Sequence, residues 1–450
     1  MLTYAEYVLR NVVKSRHLDL FPKLRRQPND HKIEGSKCLL EKQKESNIIG
    51  ILLCIVSMAS VFNDHSFPLV IITIIIIVVV GLIVSLSSIP LYGVKNYLFP
   101  SFVLTTNEAN SLSPTSAFAL SESPKLSQLI FHIQEFTIPG NNDSIPLYPL
   151  YDKNRNAIWV GDTAIDSSRI LAFNLKSGKF MEHKLNGTSI VTVMAFDHNN
   201  THIWYVDPLL KRLGHYDPSA NTTKLYNIPT NGTISRIAID LKNNVWLTSP
   251  NTNELLRFNT REKNFTVLNL PTTNAMPIGI AVDKSSGMIW VAEGIGKLAS
   301  IDPIKNYKIN EYPVLAANNS NHNNNTHYTP TELFIRPSAS DDIYISGHDN
   351  HTVSIFNIIS KTFKTYPVFN PKALPFGMAM DMSGYLWVAE HTTNKIAVID
   401  PKTGSSREVV IPKPNPYVQF LTSDSQGNIW FAEQLGNSLG VITSSPTKTP

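Results

Sequence analysis

Acidic side chains recur three residues after an aromatic residue in the C-terminal part of this sequence. They are Asp162, Asp207, Glu293, Glu390 and Glu433, with Ser249 and Gly347 at the two remaining equivalent positions. Carboxylates held close together repel one another, so their pKa values rise or they recruit a cation. Because oxygen ligands suit Mg²⁺ and Ca²⁺, these five residues are a candidate metal site. In the structural alternative, each carboxylate accepts hydrogen bonds from the backbone of its own turn, or from Asn394 or Asn437.

Two histidines directly follow two of these positions and are candidate acid–base groups. His391 follows Glu390, and His348 follows Gly347. His391 could join Glu390 at a metal ion or act as a general base. The alternative for both histidines is an exposed turn position. No G-x-S-x-G elbow, H-E-x-x-H helix or glycine-rich phosphate loop occurs in the sequence.

A sequence repeat must position these side chains. Its aromatic residue recurs at Trp159, Trp204, Trp246, Trp290, Tyr344, Trp387 and Trp430. An Asp precedes most of these aromatics by six or seven residues, and each unit contains four short strand-like segments separated by polar turns. A period of roughly 40 to 45 residues with four strands is typical of one propeller blade. The sequence therefore predicts an all-β fold, a seven-bladed β-propeller over residues 129–450.

Antiparallel pairing within a blade places the end of the second strand beside the start of the first. We therefore expect all the carboxylate positions on one side of the ring, near the central channel. The seventh unit lacks a fourth strand, and the segment from His132 to Pro139 resembles one. This segment is expected to complete the last blade and close the ring without an open edge. The tryptophans are interpreted as residues that pack the blades.

The segment PFGMAMDMSGYLWVAEHTTNKIAVIDPKTG (375–404) resembles a repeat of the streptogramin lyase (virginiamycin B lyase) family. The resemblance extends over about residues 130–445 and implies a seven-bladed propeller. Lyases of that family open a cyclic lactone antibiotic by elimination and use a metal, usually magnesium. Their histidines directly follow the Pro that opens the first strand in the last two blades. Those positions are Phe376 and either Tyr417 or Gln419 here. A glutamate of the last blade acts with these histidines in the family and matches Glu433, so the resemblance makes Glu433 the second candidate catalytic residue.

The N-terminal region contains the segments that predict the location of the protein. Residues 1–46 are a basic segment, and the first 47 residues contain ten Lys/Arg against six Asp/Glu. Residues 47–93 are a membrane region whose main span, 68–93, carries no charge and is long enough for roughly 30 Å of hydrocarbon. A shorter apolar stretch at 47–62 leaves one or two spans open. Residues 94–128 are a Ser- and Pro-rich linker.

The basic segment is expected to stay in the cytoplasm. N-x-S/T sequons occur only beyond residue 100, at Asn142, Asn186, Asn199, Asn221, Asn231, Asn264, Asn318, Asn324 and Asn350. Their distribution favours one effective span in the cell membrane and a glycosylated, extracytoplasmic propeller. Two spans would place the propeller on the opposite side. Both cysteines, Cys38 and Cys54, precede the propeller, so it has no internal disulfide.

The formal net charge of +4 resides in the N-terminal segment and leaves the propeller almost neutral. The propeller therefore lacks the basic face that nucleic acid requires. We expect a membrane-anchored module that binds an unknown small molecule or a cell-surface ligand. One alternative is a metal-dependent lyase or lactone-acting enzyme with a relocated base. A second is a structural protein of the cell envelope.

Overall fold

Seven four-stranded antiparallel sheets follow one another along the chain. The structure is a computed structural model that describes residues 124–140, 144–314, 329–336, 341–367 and 372–446. In six sheets the four strands are consecutive in sequence, and in the seventh the order is β1-β28-β27-β26. The predicted all-β, seven-bladed propeller is confirmed.

The strand bounds are as follows. Blade 1 contains β2 (Pro146–Asp152), β3 (Ala157–Asp162), β4 (Arg169–Asn174) and β5 (Lys179–Lys184). Blade 2 contains β6 (Met194–Phe196), β7 (Ile203–Asp207), β8 (Arg212–Asp217) and β9 (Thr222–Asn227). Blade 3 contains β10 (Ile237–Ile239), β11 (Val245–Ser249), β12 (Glu254–Asn259) and β13 (Asn264–Asn269). Blade 4 contains β14 (Pro277–Val282), β15 (Ile289–Glu293), β16 (Lys297–Asp302) and β17 (Lys308–Pro313).

The remaining three blades also contain four strands each. Blade 5 contains β18 (Pro330–Ile335), β19 (Asp342–Gly347), β20 (Thr352–Asn357) and β21 (Phe363–Pro367). Blade 6 contains β22 (Pro375–Met380), β23 (Leu386–Glu390), β24 (Lys395–Ile399) and β25 (Ser406–Val410). Blade 7 contains β26 (Val418–Ser423), β27 (Ile429–Glu433), β28 (Ser438–Pro446) and β1 (Leu129–Thr137), which follows the helical turn α1 (Pro124–Ser127).

Burial within each blade follows the position of the strand. The first strands contact one another around the ring, as β14 does with β18 and β22 with β26, so they line the centre. Second strands such as β15 are buried along their whole length because neighbouring blades cover both faces. Fourth strands such as β9 alternate exposed and half-buried residues, as expected at the outer edge.

The tryptophans of the second strands pack the blades, as predicted. Trp246 and Trp387 are buried, and in both the indole Nε1 donates to an Asp six residues earlier, at 3.0 Å. The same Asp240 carboxylate also accepts bonds from the backbone of Lys242 and Asn244. The repeated Asp thus holds the turn between the first two strands and satisfies the indole N–H.

The predicted closing strand is confirmed. β1 pairs with β28 in an unbroken antiparallel register from Leu129 opposite Pro446 to Thr137 opposite Ser438. Phe136 in this strand lies 4.5 Å from the Phe173 ring of blade 1, measured between centroids. The strand begins before the predicted His132, so the ladder is longer than the sequence suggested.

The two faces of the ring carry different turns. The upper face is defined here by the turns between second and third strands, such as 391–394, and by the start of each first strand. The lower face has the turns between first and second strands, such as 381–385, and those between third and fourth strands, such as 303–307. Leu129 enters on the lower face, because its partner Pro446 ends the third strand of blade 7.

The predicted basic segment, the membrane region and the linker up to residue 123 lie outside the described residues. Among the residues that the structure does describe, no helix is both long and apolar enough to cross a membrane. The last residues of the predicted linker belong to the folded part. Leu126 is fully buried in the core between blades 6 and 7, so the domain begins slightly before the predicted residue 129.

Candidate functional site

Four rings gather on the upper face, at the mouth of the central channel. We call His348, Phe376, His391 and Tyr417 the mouth cluster. His348 directly follows β19 and His391 directly follows β23, while Phe376 is the second residue of β22. Pro375 is paired with Glu390, so the start of β22 lies beside the end of β23. The repeat therefore brings these residues to one side of the ring, as expected for antiparallel blades.

His391 is the centre of this cluster. Its ring centroid lies 5.2 Å from those of His348 and Phe376, and 5.3 Å from that of Tyr417. The Phe376 contact is edge-on, with an interplanar angle of 75°. On the other side of the cluster, His348 Nδ1 lies 3.0 Å from Asp349 Oδ1. The mouth is thus lined by flat, mostly uncharged groups.

The imidazole of His391 is 5% exposed, so it is not the exposed turn residue that the structural alternative predicted. Within the described part of the chain, neither of its ring nitrogens has a hydrogen-bond partner. Burial, and next the charge of His348, lower the pKa of His391 from 6.5 to about 3. His391 is therefore a neutral imidazole at physiological pH, with one donor and one acceptor free.

The strand register decides which residue of blade 7 is equivalent to Phe376. Val418 pairs with Glu433 as Pro375 pairs with Glu390, so Gln419 rather than Tyr417 occupies the equivalent position. Gln419 Oε1 accepts a bond from Gln434 Nε2 at 2.8 Å. The two positions at which lyases of the resembled family carry histidine are thus a phenylalanine and a glutamine.

Below the mouth, the next residue of each first strand occupies one equivalent position at the inner edge of its blade. By register these equivalent residues are Tyr148, Val193, Arg236, Gly279, Glu332, Gly377 and Phe420. The glycines are required by close backbone approach. An added Cβ at Gly377 would lie 2.4 Å from the Gln419 carbonyl oxygen, and at Gly279 2.6 Å from that of Thr331. The large residues at the other positions fill the space.

An ion pair occupies the centre of the channel. Arg236 Nε donates to Glu332 Oε2 at 2.5 Å, and both side chains are less than 10% exposed. The guanidinium carbon lies 4.6 Å from the Phe420 ring centroid and 5.1 Å from that of Phe376. Burial, and next the charge of Glu332, raise the pKa of Tyr148. Sequence reasoning did not identify this pair.

Asp162 and Asp207, two of the predicted metal ligands, accept hydrogen bonds within their own blades. Asp162 accepts bonds from the backbone of Ile145 at 3.0 Å and from Arg169 Nε at 2.9 Å. Asp207 accepts bonds from the backbone of Ser189 at 2.6 Å and of Leu209 at 3.1 Å. Both carboxylates are fully buried, and their partners belong to the turns of the upper face.

The three predicted glutamates share another arrangement. Each ends a second strand, is at most 1% exposed, and lies near one lysine and one further glutamate of the same part of the ring. These groups are Glu293 with Lys297 and Glu311, Glu390 with Lys395 and Glu408, and Glu433 with Lys413 and Glu135. The predicted donors Asn394 and Asn437 are not used, because Thr393 Oγ1 bonds Glu390 at 2.8 Å and Asn394 bonds the Ile411 carbonyl.

Burial is the main cause of the perturbed acidity of these glutamates. It raises the pKa of Glu293 to about 8, with a contribution from the neighbouring Glu311. It raises that of Glu390 to about 7, against the hydrogen bond from Thr393. For Glu433, burial and Glu135 raise the pKa to about 8, although Lys413 lies 3.6 Å away.

The five carboxylates are thus distributed over five blades. Among the residues that the structure describes, no three His, Cys, Asp or Glu side chains converge in a way that could hold a metal ion. The shared Mg²⁺ or Ca²⁺ site and the catalytic roles of His391 and Glu433 stay predictions. Glu433 lies inside blade 7, whereas His391 belongs to the mouth cluster.

Comparison with solved structures places the ring in a known fold. A streptogramin B lyase structure aligns over 70% of this chain and 98% of the lyase, with a TM-score of 0.60 and 17% identity. The chain therefore has the seven-bladed β-propeller fold of these lyases. A catalytically inactive virginiamycin B lyase from Staphylococcus aureus with quinupristin aligns over 70% of this chain and 99% of that one, with a TM-score of 0.60 and 18% identity.

Another propeller shows how widely the fold is shared. The extracellular domain of a putative hybrid two-component system of B. thetaiotaomicron aligns over 69% of this chain and 40% of that chain, with a TM-score of 0.55 and 16% identity. No protein-family profile matches this chain, and no curated protein matches it either. At these identities the likeness concerns the fold, and activity must be argued from the site.

Proposed function

We propose that this protein is a membrane-anchored, extracytoplasmic module that binds its ligand at the mouth cluster. The observation that carries the proposal is His391, a neutral imidazole that is almost fully buried and has two nitrogens without partners. A buried polar group without a partner costs free energy. Both nitrogens are closed to solvent, so a ligand that displaces the ring of Phe376 or Tyr417 would supply the missing bonds and remove that cost. The surrounding rings of Phe376 and Tyr417 suit a flat or apolar group.

Binding is favoured over lyase chemistry by the proton affinities of the mouth residues. A general base works best when its pKa is near the operating pH, and that of His391 is lowered to about 3. Phe376 and Gln419, at the positions of the family's histidines, have no basic side chain. The candidate Glu433 has a pKa raised to about 8, which would suit acid–base catalysis, but its carboxyl is fully buried in blade 7 and lies outside the mouth cluster. These properties suit recognition of a neutral ligand.

The proposed location rests on the apolar segment 68–93 and on the sequons. In the described part of the chain, exposed sequon asparagines are Asn186, Asn199, Asn221, Asn231 and Asn264. Such residues are accessible to the glycosylation machinery if the propeller is exported. Peptide N-glycosidase treatment and protease access on intact cells test this orientation. A propeller that is protected in intact cells and carries no glycan contradicts it.

The ligand site is tested by thermal unfolding of the full chain in detergent, with a library of neutral cyclic peptides and aromatic amides that includes quinupristin. We expect at least one compound to raise the melting temperature of the wild type but not of His391→Ala. His198→Ala, a change in an exposed turn of the lower face, is the matched control and should respond like the wild type. Shifts that persist in His391→Ala would move the site elsewhere. Ring-opened quinupristin, detected by its chromatographic retention, would instead establish the lyase alternative.

A further inference from the structure

The lower face of blades 4 to 6 presents apolar side chains at the tips of its turns. Ile304 is 81% exposed, Ile359 72% and Met382 71%, the highest values among the large hydrophobic residues described. Ile304 and Ile359 occupy the same turn, between third and fourth strands, in neighbouring blades. Single exposed hydrophobic residues are common on protein surfaces, but three extreme cases on one face of three successive blades indicate an interaction surface.

Basic side chains surround these tips. In the described lower-face turns of blades 4 to 6, the exposed basic residues are Lys284, Lys305, Lys308, Arg336, Lys361 and Lys402. The exposed acid in the same turns is Asp341. Other aspartates of these turns, such as Asp283 and Asp381, are buried and accept bonds from their own turns. The outermost layer of this sector is therefore apolar and basic, a combination that suits the boundary between headgroups and acyl chains of a lipid bilayer.

The described sequons of the lower face lie outside blades 4 to 6. On the lower face, the described sequons lie at Asn199 and Asn221 in blade 2 and at Asn264 in blade 3. None falls in the described lower-face turns of blades 4 to 6. Asn199 and Asn221 lie two blades away from blade 4, and Asn264 belongs to the adjacent blade 3. The described lower-face turns of blades 4 to 6 themselves therefore carry no glycan acceptor.

The chain enters the propeller beside the same sector. α1 contacts β25, the outer strand of blade 6, and Arg407 Nη1 donates to the carbonyls of Leu126 at 2.7 Å and Leu129 at 2.8 Å. Only residues 94–123 separate the apolar segment from α1. This tether of 30 residues can extend over at most roughly 110 Å. The lower-face entry point therefore stays within that distance of the apolar segment, which raises the effective concentration of the two partners and strengthens weak contacts.

We propose that the lower face of blades 4 to 6 docks on the lipid bilayer that holds the tether. Ile304, Ile359 and Met382 enter the boundary between headgroups and acyl chains, and the surrounding lysines contact the phosphate groups of the lipid headgroups. This inference rests on the membrane attachment proposed above. It gives the mouth cluster a fixed direction, because the upper face then points away from the bilayer.

Depth-dependent fluorescence quenching tests the docking. The full chain with Cys38→Ala and Cys54→Ala is reconstituted into vesicles of phosphatidylcholine and phosphatidylserine that contain nitroxide-labelled lipid. An environment-sensitive fluorophore is attached at Ile304→Cys, at Ile359→Cys or, as the upper-face control, at Leu435→Cys, which replaces a residue 60% exposed. We expect quenching at least threefold stronger at the two lower-face positions than at Leu435→Cys. Lys305→Gln with Lys361→Gln should weaken it at Ile304→Cys.

Two outcomes overturn the docking, and a separate measurement tests the attachment. Equal quenching at all three positions, or none at any, contradicts the proposal. Absent quenching together with a concentration-dependent dimer in detergent would instead assign the face to a second copy of the chain. Vesicle flotation of the unlabelled protein reports the attachment. A chain that floats without quenching refutes only the docking, whereas a chain that does not float refutes both proposals.

Discussion

Arg236 and Glu332 lie 96 positions apart in the chain, and their side chains form an ion pair in the central channel. They come from blades 3 and 5, and the guanidinium also contacts rings of Phe376 and Phe420 from blades 6 and 7. Aromatic surroundings exclude water, so each charge depends on the other for compensation. One ion pair thereby links sheets that are not neighbours in the ring.

Removing one charge of this pair should be costly. We expect Glu332→Gln to lower the free energy of unfolding by about 3–5 kcal/mol, because it leaves a buried arginine without its counter-charge. The double variant Arg236→Met with Glu332→Leu should be much closer to the wild type, since apolar groups of similar size often replace buried pairs at little cost. Urea unfolding of the three proteins in detergent measures the coupling. A Glu332→Gln variant as stable as the wild type would show that the pair is not desolvated.

The turn aspartates should differ in their contribution to stability according to the indole they hold. Asp240 accepts the bond of Trp246 Nε1, whereas Trp290 Nε1 has no partner in the described part of blade 4, where Asp283 bonds serines instead. We expect Asp240→Ala to be more destabilising than Asp283→Ala, by about 1–1.5 kcal/mol, the net value of one further bond. Denaturant titration of the two variants gives the difference. Equal losses would mean that the turn bonds alone account for the aspartate.

Sequence reasoning succeeded where a repeat fixes both spacing and residue type. The seven aromatics, the turn aspartates and the missing fourth strand were sufficient to predict seven blades and the strand that closes them. The Arg236–Glu332 pair was not predicted, because the expectation for each blade followed the residue that is typical of the repeat. Arg236 and Glu332 stand where the motif has a glycine, as at Gly279 and Gly377. A charged residue at that position of an inner strand was the available signal.

Alkaline pH should destabilise the propeller through its buried glutamates. The pKa of Glu293 is about 8 in the folded protein against an ordinary value of 4.5. Between these two pH values, the folded protein keeps a proton on Glu293 that the unfolded chain releases. Its contribution to stability is therefore complete below about pH 4.5 and lost as the pH rises through 8. Glu293→Gln should flatten this decline in melting temperature between pH 5 and 9, and Glu262→Gln, in an exposed turn, should leave it unchanged. An unaltered slope in Glu293→Gln would contradict the burial of a neutral carboxyl.

Acid should act on the mouth cluster in the opposite sense. The pKa of His391 is about 3 in the folded protein against an ordinary 6.5, so the unfolded chain takes up the proton first. Stability from this residue is present above pH 6.5 and declines as the pH falls toward 3. His391→Phe should reduce that decline, while His198→Phe should not. Nitrogen-15 spectra of labelled histidine provide a second check, because the His391 ring must stay neutral at pH 5.

The closing strand should contribute through its aromatic contact with blade 1. Phe136 lies 4.5 Å from Phe173 and 6.1 Å from Trp430, between ring centroids. Because Phe136 is only half-buried, we expect Phe136→Ala to lower the free energy of unfolding by about 2 kcal/mol, less than for a phenylalanine in a core. Gln134→Ala, an exposed position in the same strand, should change it by less than about 0.5 kcal/mol. Matching values for both variants would show that the ring is held closed by its backbone ladder alone.

The candidate site illustrates what spacing cannot reveal. Spacing placed the ends of the second strands on one face, and His391 was singled out because it follows Glu390. It did not reveal whether a side chain at such a position points toward the channel or into its own blade. Glu390 turns into the blade, where Thr393 bonds it, while His391 joins the mouth cluster. Glu390 and His391 are adjacent in sequence, yet the first is a structural carboxylate and the second is a candidate ligand contact.

The pairing of β1 with β28 also determines how the protein bears mechanical load. The chain arrives at Leu129 on the lower face, and the strand runs upward along its partner to Thr137. Tension on the N-terminal segment loads α1 first, because Leu126 is buried in the core of blades 6 and 7 and Arg407 bonds its carbonyl. Only after α1 detaches is β1 pulled along its own axis, and its paired positions then share the load. The propeller therefore meets a pull from its N-terminal side with two successive attachments, a buried anchor and then a strand ladder.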